Sequence, residues 1–309
     1  MRLSSQKRHL MQKAVQEALR PGEIIACMLA GVATFAVVYA SRCFSMRYTS
    51  PGLASLAFLA PLAFTVLVTF TAVTRYRARS RARGWICASI LMWCCFLPAW
   101  SIGDRYWWKY MVNFHTWKDM ASYVNIDPDM DRGQSYMDAG FVYFKEGSFV
   151  SRNHTIAFRN GLTYCVAPIL RRPVEYVSGA GELPTLNGFV LPRSGTVDFW
   201  AVGTDCCGND GRTFDCGDVD SFRARSGLRI LDSMSRSMYL LGVQEWSATT
   251  GLPVRHPLFF SWAKDPIMYS DSLADGCMSK FLTCVVCCVF FCAVASYMLH
   301  SLLQKVNVG

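Results

Sequence analysis

The densest chemistry in the sequence lies between Gly203 and Asp220, GTDCCGNDGRTFDCGDVD. Asp205, Asp210, Asp215, Asp218 and Asp220 offer hard oxygen ligands at a density that suits Ca2+. No register gives the ligand order of an EF-hand loop. The competing reading is a loop stapled through Cys206, Cys207 and Cys216, in which Asp and Gly make turns. We adopt the stapled loop, which needs no cofactor, and keep Ca2+ as the alternative. Trp200 lies just upstream, and this loop with Trp200 is expected to offer a contact surface.

Fourteen cysteines occur in all. Cys27, Cys87, Cys94, Cys95, Cys284, Cys287, Cys288 and Cys292 fall in long apolar segments. Cys43, Cys165, Cys206, Cys207, Cys216 and Cys277 lie outside them, an even number that suggests disulfides. Their connectivity is open, except that the adjacent Cys206 and Cys207 should take different partners. The CxxC at Cys284–Cys287 invites a metal or redox reading. However, Cys284, Cys288, Cys292 and Ser296 recur every four residues, which builds a ridge of small side chains for helix packing. Catalysis has little to work with. His115, His154 and His256 sit in no recognisable motif, and there is no G-x-S-x-G, H-E-x-x-H or phosphate-binding glycine loop. An enzyme is therefore disfavoured. A metal-dependent one built on the Asp-rich loop is the residual alternative.

The elements that must position these groups begin with the membrane. Four segments are apolar and long enough to span a bilayer, which takes about 20 residues: Ile24–Ser41, Leu53–Thr74, Trp85–Ile102 and Phe281–Leu303. None carries Asp, Glu, Lys or Arg in its interior. With 52% apolar residues and a mean hydropathy of +0.21, a plain soluble domain is excluded. The first segment reads as a retained helix rather than a signal peptide, because its basic flank is long and Tyr39-Ala40-Ser41 is a poor cleavage site.

The net charge is +9, and its placement decides its meaning. Eleven of the 31 basic residues, against two of the 22 acidic ones, fall in the N-terminal flank, the loop Arg75, Arg77, Arg79, Arg81 and Arg83, and the tail with Lys305. By the positive-inside rule both termini are then cytosolic and the long segment between the third and fourth spans is lumenal or extracellular. The surplus faces anionic lipid, which removes the reason to expect nucleic acid. The five loop arginines are read as lipid-facing. Residues 1–22 read as a basic amphipathic helix on the cytosolic surface. Trp100, Tyr106, Trp107, Trp108 and Tyr110 read as an aromatic belt at the outer end of the third span. The sequon Asn153-His154-Thr155 falls in the outside segment and is a glycosylation candidate.

The expected fold class is thus membrane α-helical, with four transmembrane helices plus an α+β, mostly β, disulfide-bonded outside domain. The expected organisation is a cytosolic segment 1–22, three spans over 23–103, the outside domain over 104–280, the fourth span over 281–303 and a tail over 304–309. Within the outside domain, Gly140–Phe144, Thr155–Phe158, Thr163–Ile169, Gly188–Leu191, Val197–Val202 and Leu258–Trp262 read as strands, and Ser178–Gly188 as a loop. Asp104–Tyr123 and Ser233–Thr249 read as helices. In the latter, Met234, Met238, Leu241 and Glu245 form one column, with Ser233 as N-cap and Gly251 as C-cap.

Several phrases recur together: Tyr123–Pro128 (YVNIDP), Met137–Gly140 (MDAG), Tyr164–Ile169 (YCVAPI), Asp198–Cys207 (DFWAVGTDCC), Phe214–Asp218 (FDCGD) and His256–Leu258 (HPL). In this, residues 120–265 resemble a group of multi-pass membrane proteins of unicellular algae and related protists. The resemblance implies one folded outside unit and carries over no activity or catalytic residue. The function expected is a membrane-anchored interaction or structural protein, an accessory subunit of a membrane complex. Its partners would be membrane lipids and other membrane proteins or further copies of itself. An oligomeric transport or channel component is the alternative.

Overall fold

A computed structural model describes residues 21–78, 82–172, 185–186, 189–190, 192–208 and 213–305. The expected amphipathic segment 1–20, Arg79 and Arg81, Asp210 and most of the loop 178–188 lie outside these residues. The chain divides into two compact units: Met1–Val112 with Leu273–Gly309, and Asn113–Ser272.

The first unit is helical. It contains α1 (Pro21–Cys43), the short α2 (Met46–Thr49), α3 (Pro51–Arg77), α4 (Arg83–Tyr106) and most of α7 (Pro266–Lys305). A π-helical turn, Trp107–Met111, runs α4 into α5 (Val112–Asp119). Among the described residues, four helical stretches are long and apolar enough to cross a membrane: Gly22–Cys43, Pro51–Arg77, Arg83–Asp119 and Pro266–Met298. Their outward faces carry large apolar side chains such as Leu56, Phe64, Phe70, Leu282 and Phe290. Several hydroxyls within them are bonded locally. The Thr34 and Thr65 hydroxyls donate to the carbonyls of Ala30 and Pro61, at 2.8 and 2.7 Å. Between α3 and α4, Thr69 meets the Ser89 hydroxyl at 2.8 Å and accepts from Trp93 Nε1 at 3.1 Å. Small residues set the helix spacing: a Cβ on Gly31 would meet Leu91 and the Cys292 sulfur at 3.2 Å. At the other end, Asp104 accepts from both Arg42 and Arg47, at 2.9 and 2.7 Å.

Two boundaries differ from expectation. The last helix begins at Pro266 rather than near 281, and the helix after the third span stops at Asp119, with a strand starting at Ala121. Hydropathy reports where lipid-like burial begins, while a helix continues as far as its backbone bonds are satisfied. Trp107 also departs from the belt reading. It is buried, with the Arg47 guanidinium over its ring, whereas Trp100 and Trp108 are exposed.

The second unit is built on a mixed sheet of eight strands: β1 (Ala121–Ile126), β2 (Ala139–Phe144), β3 (Ser148–Val150), β4 (Ile156–Asn160), β5 (Leu162–Arg171), β8 (Phe199–Thr204), β9 (Ser226–Arg229) and β10 (Leu258–Ala263). The spatial order is β1-β2-β9-β10-β8-β5-β3, with β4 also on β5. The pairs β1–β2 and β10–β8 are parallel and the remainder antiparallel. A separate small hairpin joins β6 (Thr185–Leu186) to β7 (Phe189–Val190).

Alternation along the strands feeds two cores. Ala167, Ala201, Phe260, Phe144 and Trp262 pack on one face. Val166, Trp200, Val202 and Phe259 pack on the other, beneath α6 (Ser233–Thr250). The face of α6 that is buried is Tyr239, Gly242, Val243 and Trp246. The column through Met234 and Leu241 is exposed. Asp232, not Ser233, is the N-cap, accepting from the amides of Met234 and Ser235, while Gly251 closes the helix at φ 73° as expected. The buried Asp198 carboxylate accepts backbone N–H bonds from Gly133, Arg255 and His256. It thereby ties two loops to the start of β8.

Trp246 meets the fully buried Trp200 edge-on, with ring centroids 5.0 Å apart. Trp246→Ala is therefore expected to cost about 3–5 kcal/mol, read as a lowered unfolding midpoint of the sheet unit.

Candidate functional site

The stapled loop forms. Cys165 on β5 pairs with Cys207, and Cys206 pairs with Cys216, both at disulfide bonding distance. Adjacent Cys206 and Cys207 thus take different partners. A side chain at Gly203 would meet the Cys206 and Cys216 sulfurs at 2.5 and 2.6 Å, so only glycine fits beneath the bridges. The loop turns through Asp205 at φ 54°, whose carboxylate accepts from the Thr163 amide at 2.9 Å.

Among the described residues, the aspartates form no shared carboxylate cluster. Asp215 and Asp220 both bind Arg152, and these bonds hold the guanidinium firmly in its charged form. Asp218 accepts from the Lys264 amide at 2.8 Å. Among the described residues, the groups close enough to share a metal ion are Cys95, Cys288 and Cys292, and Cys165, Cys206 and Cys216. The second trio is consumed by the disulfides. The first packs at 3.4–3.8 Å in the helical unit. Trp200 is not a contact surface. It is 0% exposed, because β8 runs through the middle of the sheet and turns this ring into the α6 core. Asn153 is exposed on a short turn, and Ser151 beside it meets His154 Nδ1 at 2.7 Å as a local turn contact. Burial pushes the His154 pKa down.

The sequence reading missed what lies next to the loop. A cleft of about 720 Å³ opens between the β2–β3 turn and the segment Val219–Arg225. Arg152, Arg172, Arg223 and Arg225 line it, against Glu146 and Asp220. Phe222 at its rim is 92% exposed, with the Arg223 guanidinium 5.3 Å from its ring centroid. Arg172 lies over the Phe149 ring at 5.7 Å. One wall is β3, the last strand in the sheet order, which pairs with β5 through Ser148, Phe149 and Val150. The other wall is fixed from two sides: Phe144 donates its amide to the Arg225 carbonyl at 2.8 Å, and Arg152 anchors Asp220 at 2.7 Å. The arrangement can hold an acidic ligand by charge and by an aromatic anchor. The signal available in the sequence was the run Phe222-Arg223-Ala224-Arg225, an exposed-type aromatic among arginines directly after the last loop cysteine.

No protein-family model, curated protein or solved structure matches the chain.

Of the six cysteines expected outside the spans, Cys43 and Cys277 meet in the helical unit, with sulfurs 2.6 Å apart. A mild oxidant is expected to join them, giving one linked tryptic peptide pair that is lost in Cys43→Ser. In the sheet unit, the Cys165–Cys207 bridge spans 42 residues and Cys206–Cys216 spans 10. By loop-closure entropy, removing the first by paired Ser substitutions should cost about 4 kcal/mol and the second about 3 kcal/mol. Denaturant midpoints of the two variants check the order.

Proposed function

We propose that the protein is a membrane-anchored binding protein, an accessory subunit whose sheet unit captures an acidic segment of a membrane partner. The arginine-lined cleft with its nearly fully exposed Phe222 carries this reading. Interface hot spots favour aromatic side chains and arginine. Here one aromatic ring stands among four arginines at the cleft.

The same reading puts four helices across a bilayer, both termini in the cytosol and the sheet unit on the lumenal or extracellular side. The supports are the apolar faces of the four helices, the arginines gathered at one end of α3 and α4, and two cysteine pairs at bonding distance, which suit an oxidising compartment. Asn153 is exposed and would be open to glycosylation there.

The test is capture from native membranes with a photo-crosslinking residue at position 222. An adduct with an acidic membrane protein is expected, weakened at least tenfold in the Arg172→Gln, Arg223→Gln, Arg225→Gln triple variant, and weakened again by raised salt. A triple variant that folds and retains the same adduct would overturn the reading. Release of the chain from membranes by alkaline carbonate would overturn the membrane assignment.

A further inference from the structure

We infer that the helical unit holds an anionic phospholipid in a dedicated site between α1, α3 and α4. The proposal rests on the membrane assignment made above. A cavity of about 380 Å³ lies between these helices, a size within the usual range of roughly 300–1,000 Å³ for small-ligand pockets. Its body is apolar: Ala26 and Ala30 of α1, Phe64 and Val68 of α3, and Ala88 and Met92 of α4. Its other end is charged, with Arg75 at the last turn of α3, Arg83 at the first turn of α4 and Glu23 of α1.

The space exists because alanines stand where larger side chains would close it. The mouth is built rather than incidental. The Arg75 guanidinium sits 5.1 Å from the Trp85 ring centroid, a stacking contact that holds a long side chain in one place. Arg83 is only partly exposed. Two guanidiniums against one carboxylate leave a positive balance, and guanidinium pairs with phosphate through two parallel hydrogen bonds.

The ligand chemistry follows from the two ends taken together. The apolar body calls for an acyl chain and the mouth for a phosphate with no compensating cation on its head group. Because the walls belong to helices whose outer faces are apolar, the bilayer is the source. Basic pockets between spans are a known physical solution for binding acidic head groups. The neighbouring Arg77, with Arg79 and Arg81 in the sequence, would draw anionic lipid to this end without forming the site.

The experiment uses the full chain in mild detergent. Native mass spectrometry is run with an equimolar mixture of phosphatidylglycerol and phosphatidylcholine of matched chains. The unsubstituted protein should retain one phosphatidylglycerol in preference to phosphatidylcholine. With about 1 kcal/mol per arginine at an anionic surface, Arg75→Gln with Arg83→Gln should cut that preference by about thirtyfold. Ala88→Leu, which fills the body and leaves the charge alone, should lose both lipids. Arg77→Gln with Arg79→Gln and Arg81→Gln should keep the preference. Equal retention of the two lipids by the unsubstituted chain would overturn the proposal without needing any variant to fold. Loss of preference in the Arg77, Arg79, Arg81 variant alone would reassign it to surface attraction and overturn it equally. Neither result touches the membrane assignment, which the carbonate extraction tests separately.

Discussion

The helical unit leaves many large apolar side chains uncovered, and its hydroxyls and charges are placed in ways that suit such a surface. Leu56, Leu67, Phe70, Leu282 and Phe290 are exposed, apolar surface on helices long and apolar enough to cross a membrane. In apolar surroundings an unsatisfied hydroxyl or charge costs several kcal/mol. Thr34 and Thr65 accordingly bond back to their own helices, and Thr69, Ser89 and Trp93 satisfy one another between helices. Charge is confined to the ends. There Asp104 is neutralised twice over by Arg42 and Arg47, while Arg75 and Arg83 gather at the opposite ends of α3 and α4.

In the sheet unit the corresponding constraint is the pair of bridges beside β5. Cys165 lies on a buried strand, so its bond to Cys207 ties an irregular loop to the most rigid part of the fold. Cys206–Cys216 then returns the chain toward Val219–Arg225. Arg152 joins this path from the other side by holding Asp215 and Asp220. The cleft wall that carries Phe222 is fixed at both ends even though its side chains are exposed. Rigid support under an exposed aromatic and arginine cluster reduces the entropy lost when a partner orders them. That support favours our proposal that this face binds a partner.

What could be read from the residues depended on whether the signal was local. The four apolar helices follow from composition over 20-residue windows. Most strands of the sheet follow from short Val-, Phe- and Tyr-rich runs between turn residues. The separate partners of Cys206 and Cys207 follow from their adjacency. The parallel pairings of β1 with β2 and of β10 with β8 join segments distant in sequence, or oriented against the hairpin default, and nothing local encodes them. The same holds for Trp200. Its type and place beside the Asp-rich loop suggested a surface, but the sheet order buries β8 between β10 and β5. The aspartates were open to two readings, a shared ion or turns in a stapled loop. Among the described residues, Asp205 and Asp218 accept from backbone amides while Asp215 and Asp220 share Arg152, and only the folded path of the loop sets those matches.

Arginine gives the clearest measure of how context assigns a role to one residue type. Arg42 and Arg47 neutralise a half-buried carboxylate. Arg152 is a two-carboxylate clasp that holds a loop. Arg75 and Arg223 are each laid over an aromatic ring, at 5.1 and 5.3 Å. A formal charge of +9 is therefore not one property of the chain. Part of it is neutralised within the fold, part is gathered at one end of the spans, and part lines a cleft in the sheet unit. The last two groups sit in different units with different neighbours: acyl-sized apolar space for one, an exposed phenyl ring and an edge strand for the other. Charge alone would predict the same ligand at both. The apolar neighbours of each cluster are the reason we propose a lipid phosphate for one and an acidic protein segment for the other.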